Sequence, residues 1–211
     1  MKRVGNGNVW LPDDEQDRVM LAGGAQYQAS KLRAGLQYVK QARRAIDIGA
    51  HCGLWSVQLG QYFHEVECFE PLPRHIECWQ KNVGWKLSCH LHEVALGDKH
   101  GTVGMEIVEG LSGRSHVTSE GTTPMRTLDS YGFSDVDFIK IDVEGFELFV
   151  IKGAEQTILK HRPVMIVEQK PKHGGKYGLS DTAAVDYLVS LGAEVKQEIV
   201  GDFVMTWPEA A

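Results

Sequence analysis

The 211-residue sequence has no Cys-x-x-Cys pair among Cys52, Cys68, Cys78 and Cys89, and their spacings fit neither a zinc framework nor a small secreted scaffold. Cys68 lies inside the apolar run 66–69 and reads as a reduced, buried thiol. No window approaches the ~18 uninterrupted apolar residues of a membrane-spanning helix. The opening MKRVGNGNVWLPDDEQ lacks the apolar stretch of an export signal, so a cytoplasmic protein without membrane association is expected. Basic residues are in deficit, 22 against 28 acidic, for a net charge of −6. A grip on a phosphate backbone needs a basic face, so nucleic acid is disfavoured as a partner. There is no repeat and no low-complexity tract. With 43% hydrophobic and 24% charged residues, the composition excludes a disordered, collagenous or coiled-coil chain. Also missing is the G-x-G-x-x-G phosphate loop of dinucleotide-binding enzymes.

What remains is a globular chain long enough for one large domain, since single domains run to about 150 residues. Residues 1–44 read as an arm followed by a helix, the polar and Gly-rich 1–24 being loosely attached and 27–43 having helical spacing at Leu32, Leu36 and Val39. From residue 45 onward short apolar runs (45–48, 66–69, 90–96, 138–141, 164–167) alternate with amphipathic stretches (54–63, 73–83, 147–159, 182–191). That alternation is the signature of a parallel sheet covered on both faces. Two closing strands, 194–199 and 202–206, turn around Gly201 and predict an antiparallel edge hairpin. Residues 101–127, rich in Gly, Ser and Thr with strand-like pieces at 103–108 and 125–128, read as an insertion or lid within the single domain 45–211.

Three segments carry chemistry. In Asp47-Ile-Gly-Ala-His-Cys-Gly53 a strand turns into a helix through glycines that let the backbone approach a ligand. The spacing is D-x-G-x-x-x-G, and a carboxylate at Asp47 repels a pyrophosphate while attracting an ammonium or sulfonium. This selects S-adenosylmethionine over NAD. Glu70, ending the second strand, is placed to accept hydrogen bonds from a ribose diol. In Phe138-Ile-Lys-Ile-Asp-Val-Glu-Gly145 a strand ends at Asp142 and Glu144, where strand order reverses and ligands bind in open α/β sheets. Glu168-Gln169 closes the next strand, followed by Lys170, Lys172 and His173.

The blocks D-I-G-A-H-C-G-L-W-S, C-F-E-P, V-A-L-G-D, R-T-L-D-S, D-F-I-K-I-D-V-E-G-F-E, K-G-A and R-P-V-M-I-V-E occur in that order over residues 45–168, about three fifths of the chain. Together they resemble the FkbM family of S-adenosylmethionine-dependent methyltransferases. The resemblance implies a class I, Rossmann-like fold: seven strands, mostly parallel, with helices on both faces. It also implies methyl transfer to a hydroxyl of a small molecule or glycan. By position, Asp47, Gly49, Ala50 and Gly53 would hold the methionine part of the cofactor, Glu70 the ribose, and Ala95, Leu96 and Asp98 the adenine. Asp142 would sit beside the sulfur. The family often has Asn where His51 stands, and both loop packing and substrate contact fit the histidine.

An alcohol must lose its proton to attack a sulfonium. His173, Glu144 or Asp142 could serve as base. Alternatively Asp142 and Glu168 could hold Mg²⁺, in an arrangement resembling that of catechol O-methyltransferase. The acceptor pocket is expected from 101–127, 170–177 and the N-terminal helix, and a homodimer is entertained as the assembly. Two rival functions are carried alongside: a nucleic-acid methyltransferase, disfavoured by charge and by the missing N/D-P-P-Y/F loop, and a non-catalytic S-adenosylmethionine-binding protein.

Overall fold

Because the central strands are apolar on both faces, the sheet they form has to be covered twice, and the computed structural model, which describes residues 1–5 and 9–208, shows how. Residues 6–8 of the expected arm, and 209–211, lie outside the described set. Along the chain run β1 (Lys2–Val4), β2 (Val9–Leu11), α1 (Arg18–Gly23), α2 (Ala29–Leu36), β3 (Arg44–Ile48), α3 (Leu54–Leu59), β4 (Glu65–Phe69), α4 (Pro73–Asn82) and β5 (Cys89–His92). Then come β6 (Ala95–Leu96), β7 (Gly101–Glu106), β8 (His116–Arg126), β9 (Val136–Ile141), α5 (Glu147–Lys152), α6 (Glu155–His161), β10 (Val164–Glu168), α7 (Ala183–Ser190), β11 (Glu194–Ile199) and β12 (Asp202–Thr206).

The main sheet has seven strands in the order β11-β12-β10-β9-β3-β4-β5. The five from β10 to β5 are parallel, and β12 and β11 add the antiparallel edge that the sequence predicts. Period-two alternation divides its two cores. Ala45, Val66, Cys68, Phe138 and Ile166 meet α2, α3 and α4 through Leu32, Trp55, Leu59 and Trp79. Ile46, Ile48, Ile139, Ile141 and Met165 meet α5, α6 and α7 through Val150, Ile151, Ile158 and Leu188. A second sheet, β6-β8-β7, continues this latter core with Leu96, Val103, Val117 and Met125.

Four expectations change. The run 90–96 is two strands: the chain turns at Glu93, where Val94 N–H donates to His92 O at 2.9 Å, so that β5 stays with the main sheet and β6 pairs with β8. The run 147–159 is two helices. At the break, Gly153 packs so closely on Gly97 that a Cβ there would lie 1.9 Å from the Gly97 carbonyl oxygen. The second helix begins under the Asp129 carboxylate, which accepts from Gln156 N (3.0 Å) and Thr157 N (2.8 Å). The helix expected over 27–43 stops at Leu36. Finally, the arm is docked: Leu11 is fully buried with Leu54 and Cys78, and Asn82 bonds both the N–H and the carbonyl of Trp10. Residues 101–127 form the β7–β8 hairpin, whose connecting segment folds back through a short helical turn, Ser112–Arg114.

Candidate active site

Register sets the site. Ile48 of β3 pairs with Phe69 of β4 on one side and Ile141 of β9 on the other, while Ile141 lies level with Val167 of β10. The next residues, Gly49, Glu70, Asp142 and Glu168, therefore leave the sheet side by side at the point where strand order reverses, and all four line one cavity. The β3–α3 turn is held by Gly49 N and Ala50 N, which donate to Phe69 O at 3.1 and 2.9 Å. Gly49, at φ 76°, leaves no room for a side chain: a Cβ would stand 1.9 Å from Asp142 O. Ala50, Ala95 and Leu96 line the same cavity, and Tyr27, Trp55 and Met20 close it from the α1–α3 side.

Glu70 is nearly buried, and its carboxylate organises the loop around it. Oε2 accepts from His51 N at 2.9 Å, and Oε1 accepts from Leu72 N and His75 Nδ1, each at 3.0 Å. The lid comes down on the same loop, with Ser112 Oγ 2.7 Å from His51 Nε2 and also bonded to the Glu15 carboxylate. If the Ser112 hydroxyl donates to Glu15, His51 Nε2 donates to it. Burial and the neighbouring His75 hold His51 far below its ordinary pKa, consistent with a neutral ring. His51 thus joins cofactor loop, lid and N-terminal segment through its packing.

Three of the residues expected to touch cofactor stand elsewhere. Asp47 has no exposed surface and is outside the cavity lining: period two turns it toward α3, where it accepts from Ser56 Oγ at 2.7 Å. Its other oxygen faces Lys140 Nζ at 3.4 Å. Gly53 points at α4, and a Cβ there would press on Val83 (2.4 Å) and Trp79 (2.8 Å), so the glycine serves helix packing. Asp98 is exposed beyond the end of β6. Lys140 was the residue missed. It lies level with Asp47 on the neighbouring strand, lines the cavity, donates to Gly49 O at 2.8 Å and faces Asp142 at 3.9 Å. Its signal was a lone charge within the apolar strand Phe138-Ile-Lys-Ile. Burial alone would lower its pKa, but Asp47 and Asp142 raise it.

The opposite wall is an acidic corner. Burial works to raise Asp142, yet Lys140 and Lys170 win and hold its pKa low. Glu144 and Glu168 go the other way, pushed up by burial and by the Asp142 charge. Lys170 forms an ion pair with Glu168. His173 Nδ1 stands 3.2 Å from Glu144 Oε2, and burial with Lys170 and Lys176 nearby lowers its pKa, leaving the ring neutral at pH 7. Among the described residues, the group whose ligand atoms converge is Glu144, Glu168 and His173; Asp142 is outside it.

Residues 47–195 match the Methyltransferase FkbM domain. The chain belongs to the FkbM methyltransferase family. Fold and family are those of S-adenosylmethionine-dependent methyltransferases. The methyltransferase FkbM of Methylobacillus flagellatus KT superposes with a TM-score of 0.52 at 17% identity, over 79% of this chain and 44% of that one. The present FkbM chain thus spans less than half the length of that relative. A precorrin-6y C5,15-methyltransferase from Geobacter metallireducens GS-15 gives 0.56 at 14% identity, over 96% and 98% of the two chains. The putative methyltransferase SMU.1697c of Streptococcus mutans, solved with S-adenosylhomocysteine, gives 0.53 at 10%, over 84% and 94%. No curated protein matches the sequence. Among the described residues no helix is long and apolar enough to cross a membrane.

Proposed function

We propose that this FkbM protein moves the methyl group of S-adenosylmethionine to a hydroxyl oxygen of a small molecule or glycan. The observation that carries the reading is the row of strand ends Gly49, Glu70 and Asp142 around one cavity at the switch point, with Ala95 and Leu96 at its apolar end. The ionised Asp142 suits a sulfonium and opposes a pyrophosphate. Glu70 keeps one lone pair, on Oε2, beyond its three protein donors for a ribose hydroxyl, and Val94, Ala95 and Leu96 offer an apolar wall to adenine.

In the transfer, an acceptor oxygen bonds to the methyl carbon as the carbon–sulfur bond breaks, the thioether departs neutral, and the hydroxyl proton is lost. The chain's part is to align oxygen, carbon and sulfur at ~3–3.5 Å and to take up that proton. The lid residues Met105, Leu111 and Arg114–Val117 wall the acceptor side, and Asp142 and Glu144 line the cavity with them, His173 Nδ1 standing 3.2 Å from Glu144 Oε2.

The test is production of S-adenosylhomocysteine over a panel of sugars and hydroxylated metabolites. Asp142→Ala is expected to abolish turnover in a folded protein, and near-normal activity in that variant overturns the reading. Calorimetry that registers no heat for S-adenosylmethionine or S-adenosylhomocysteine removes it altogether.

A further inference from the structure

Two side chains at the acidic corner, Glu168 and His173, keep buried polar atoms that are only partly satisfied. Glu168 is 2% exposed and lines the cavity; the Lys170 ammonium takes its Oε1, but Oε2 is buried with no partner, and His173 Nδ1 faces only Glu144 Oε2, at 3.2 Å. Buried polar atoms without partners are costly and call for an explanation. Glu144, 7% exposed, completes the group, and the ligand atoms of Glu144, Glu168 and His173 all lie within 4.8 Å of one another. Side-chain rotation draws such a set onto one ion bonded at ~2.0–2.2 Å.

The backbone holds these residues there. Glu144 adopts φ 57°, in the left-handed region, and Glu147 Oε1 accepts from Val143 N (3.2 Å) and Gly145 N (2.9 Å) on either side of it. Gly145 presses against the carbonyl of His173, where a Cβ would come within 2.3 Å. The loop after β9 and the loop after β10 are therefore locked together at the point where the ligands converge. Lys170, whose side chain is 38% exposed, pairs with Glu168 and has open solvent to swing into when a cation takes its place.

We propose that Glu144, Glu168 and His173 form a divalent-cation site at the acceptor end of the cavity. An imidazole nitrogen among the ligands favours Mn²⁺ or Zn²⁺ over Mg²⁺, which prefers an all-oxygen shell. The expected Asp142–Glu168 pair is thereby replaced, since Asp142 faces Lys140 and lies outside the group. Only the ion's role, as a Lewis acid beside the acceptor hydroxyl, rests on the methyl-transfer reading; its binding does not.

The experiment strips the full chain with EDTA and titrates it with MnCl₂, following loss of the free-ion signal by electron paramagnetic resonance, with MgCl₂ and ZnCl₂ as competitors. One Mn²⁺ per chain is expected, displaced by Zn²⁺ and by Mg²⁺ only in large excess. Glu168→Gln and His173→Asn each weaken Mn²⁺ by about tenfold or more, as removal of a ligand should exceed the effect of its supports. Asp142→Asn loses less than either. No Mn²⁺ binding, equal competition by Mg²⁺, or unchanged affinity in both ligand variants overturns the site. Circular dichroism checks folding, and if one ligand variant does not fold the other decides. S-adenosylhomocysteine binding, measured separately by calorimetry, distinguishes the two readings: a chain that binds the thioether but takes up no Mn²⁺ sinks the ion site alone, and one that takes up Mn²⁺ but binds no thioether sinks methyl transfer alone.

Discussion

Lys140 and Asp47 form a buried ion pair one strand apart, and the cavity is built on top of it. Asp47 has no exposed surface, Lys140 is 4% exposed, and Nζ stands 3.4 Å from Asp47, 3.9 Å from Asp142 and 2.8 Å from the Gly49 carbonyl. One ammonium thus ties together three positions of the site: the buried acid beneath the loop, the loop backbone and the acid beside the reaction centre. Removing one partner of a buried pair strands the other charge without water. Lys140→Met is expected to destabilise the fold by ~3–5 kcal/mol in urea denaturation. Asp47→Asn with Lys140→Met should cost much less than the sum of the single variants, because the doubly neutral site strands nothing. Additive losses would show that the two side chains do not support each other. The same variants read out the site, since a shifted Gly49 carbonyl and a freed Asp142 weaken S-adenosylhomocysteine binding even where the protein folds.

At the scale of elements, legibility followed range. The strands at 45–48, 66–69, 138–141 and 164–167 were readable because burial on both faces leaves a continuous apolar run, and the edge hairpin because Gly201 marks its turn. Their ends carried the acids, so Glu70, Asp142, Glu144 and Glu168 were readable as cavity residues. The direction of Asp47 was not, since a carboxylate one residue before the strand end belongs to the sheet face and not to the loop above it. The breaks at Glu93 and Gly153 escaped as well, because each is imposed by a partner distant in sequence: β8 for the first, Gly97 for the second. So did the docking of β1 and β2, which rests on Asn82, Leu54 and Cys78. That docking gives a prediction. Leu11→Ala should cost ~2–5 kcal/mol, the range for a fully buried leucine, whereas a loosely attached arm would give less than about 0.5 kcal/mol. Urea unfolding followed by tryptophan fluorescence distinguishes the two. A loss near zero would mean that β1 and β2 contribute no core.

Over the whole molecule, an acidic chain of net charge −6 has folded several of its carboxyls into places that disfavour their charge. Glu147 is the clearest. It is 1% exposed, and burial raises its pKa to about 7 against the bonds from Gly145 and Val143, which act to lower it. Burial likewise raises Asp202, although Lys31 pairs with it. A carboxyl whose folded pKa is raised binds its proton more tightly folded than unfolded, so stability falls as pH climbs from the unfolded value toward the folded one. For Glu147 that window runs from 4.5 to about 7, and the cost is complete above it. His51 acts in the opposite sense: held neutral when folded, it takes a proton when unfolded below its ordinary value of 6.5, so its contribution to stability is lost as pH drops. Comparison of wild type with Glu147→Gln isolates the first effect, because His51 is common to both and the Gln carbonyl can still accept from Gly145 N and Val143 N. By thermal unfolding the variant should be no more stable than wild type at pH 4 and should gain on it steadily to pH 7.5, the full linkage being roughly 3 kcal/mol if the Gln fits as well as the protonated acid does. A constant difference across that range would mean that Glu147 is ionised in the folded protein well below neutrality, with its two backbone bonds outweighing burial.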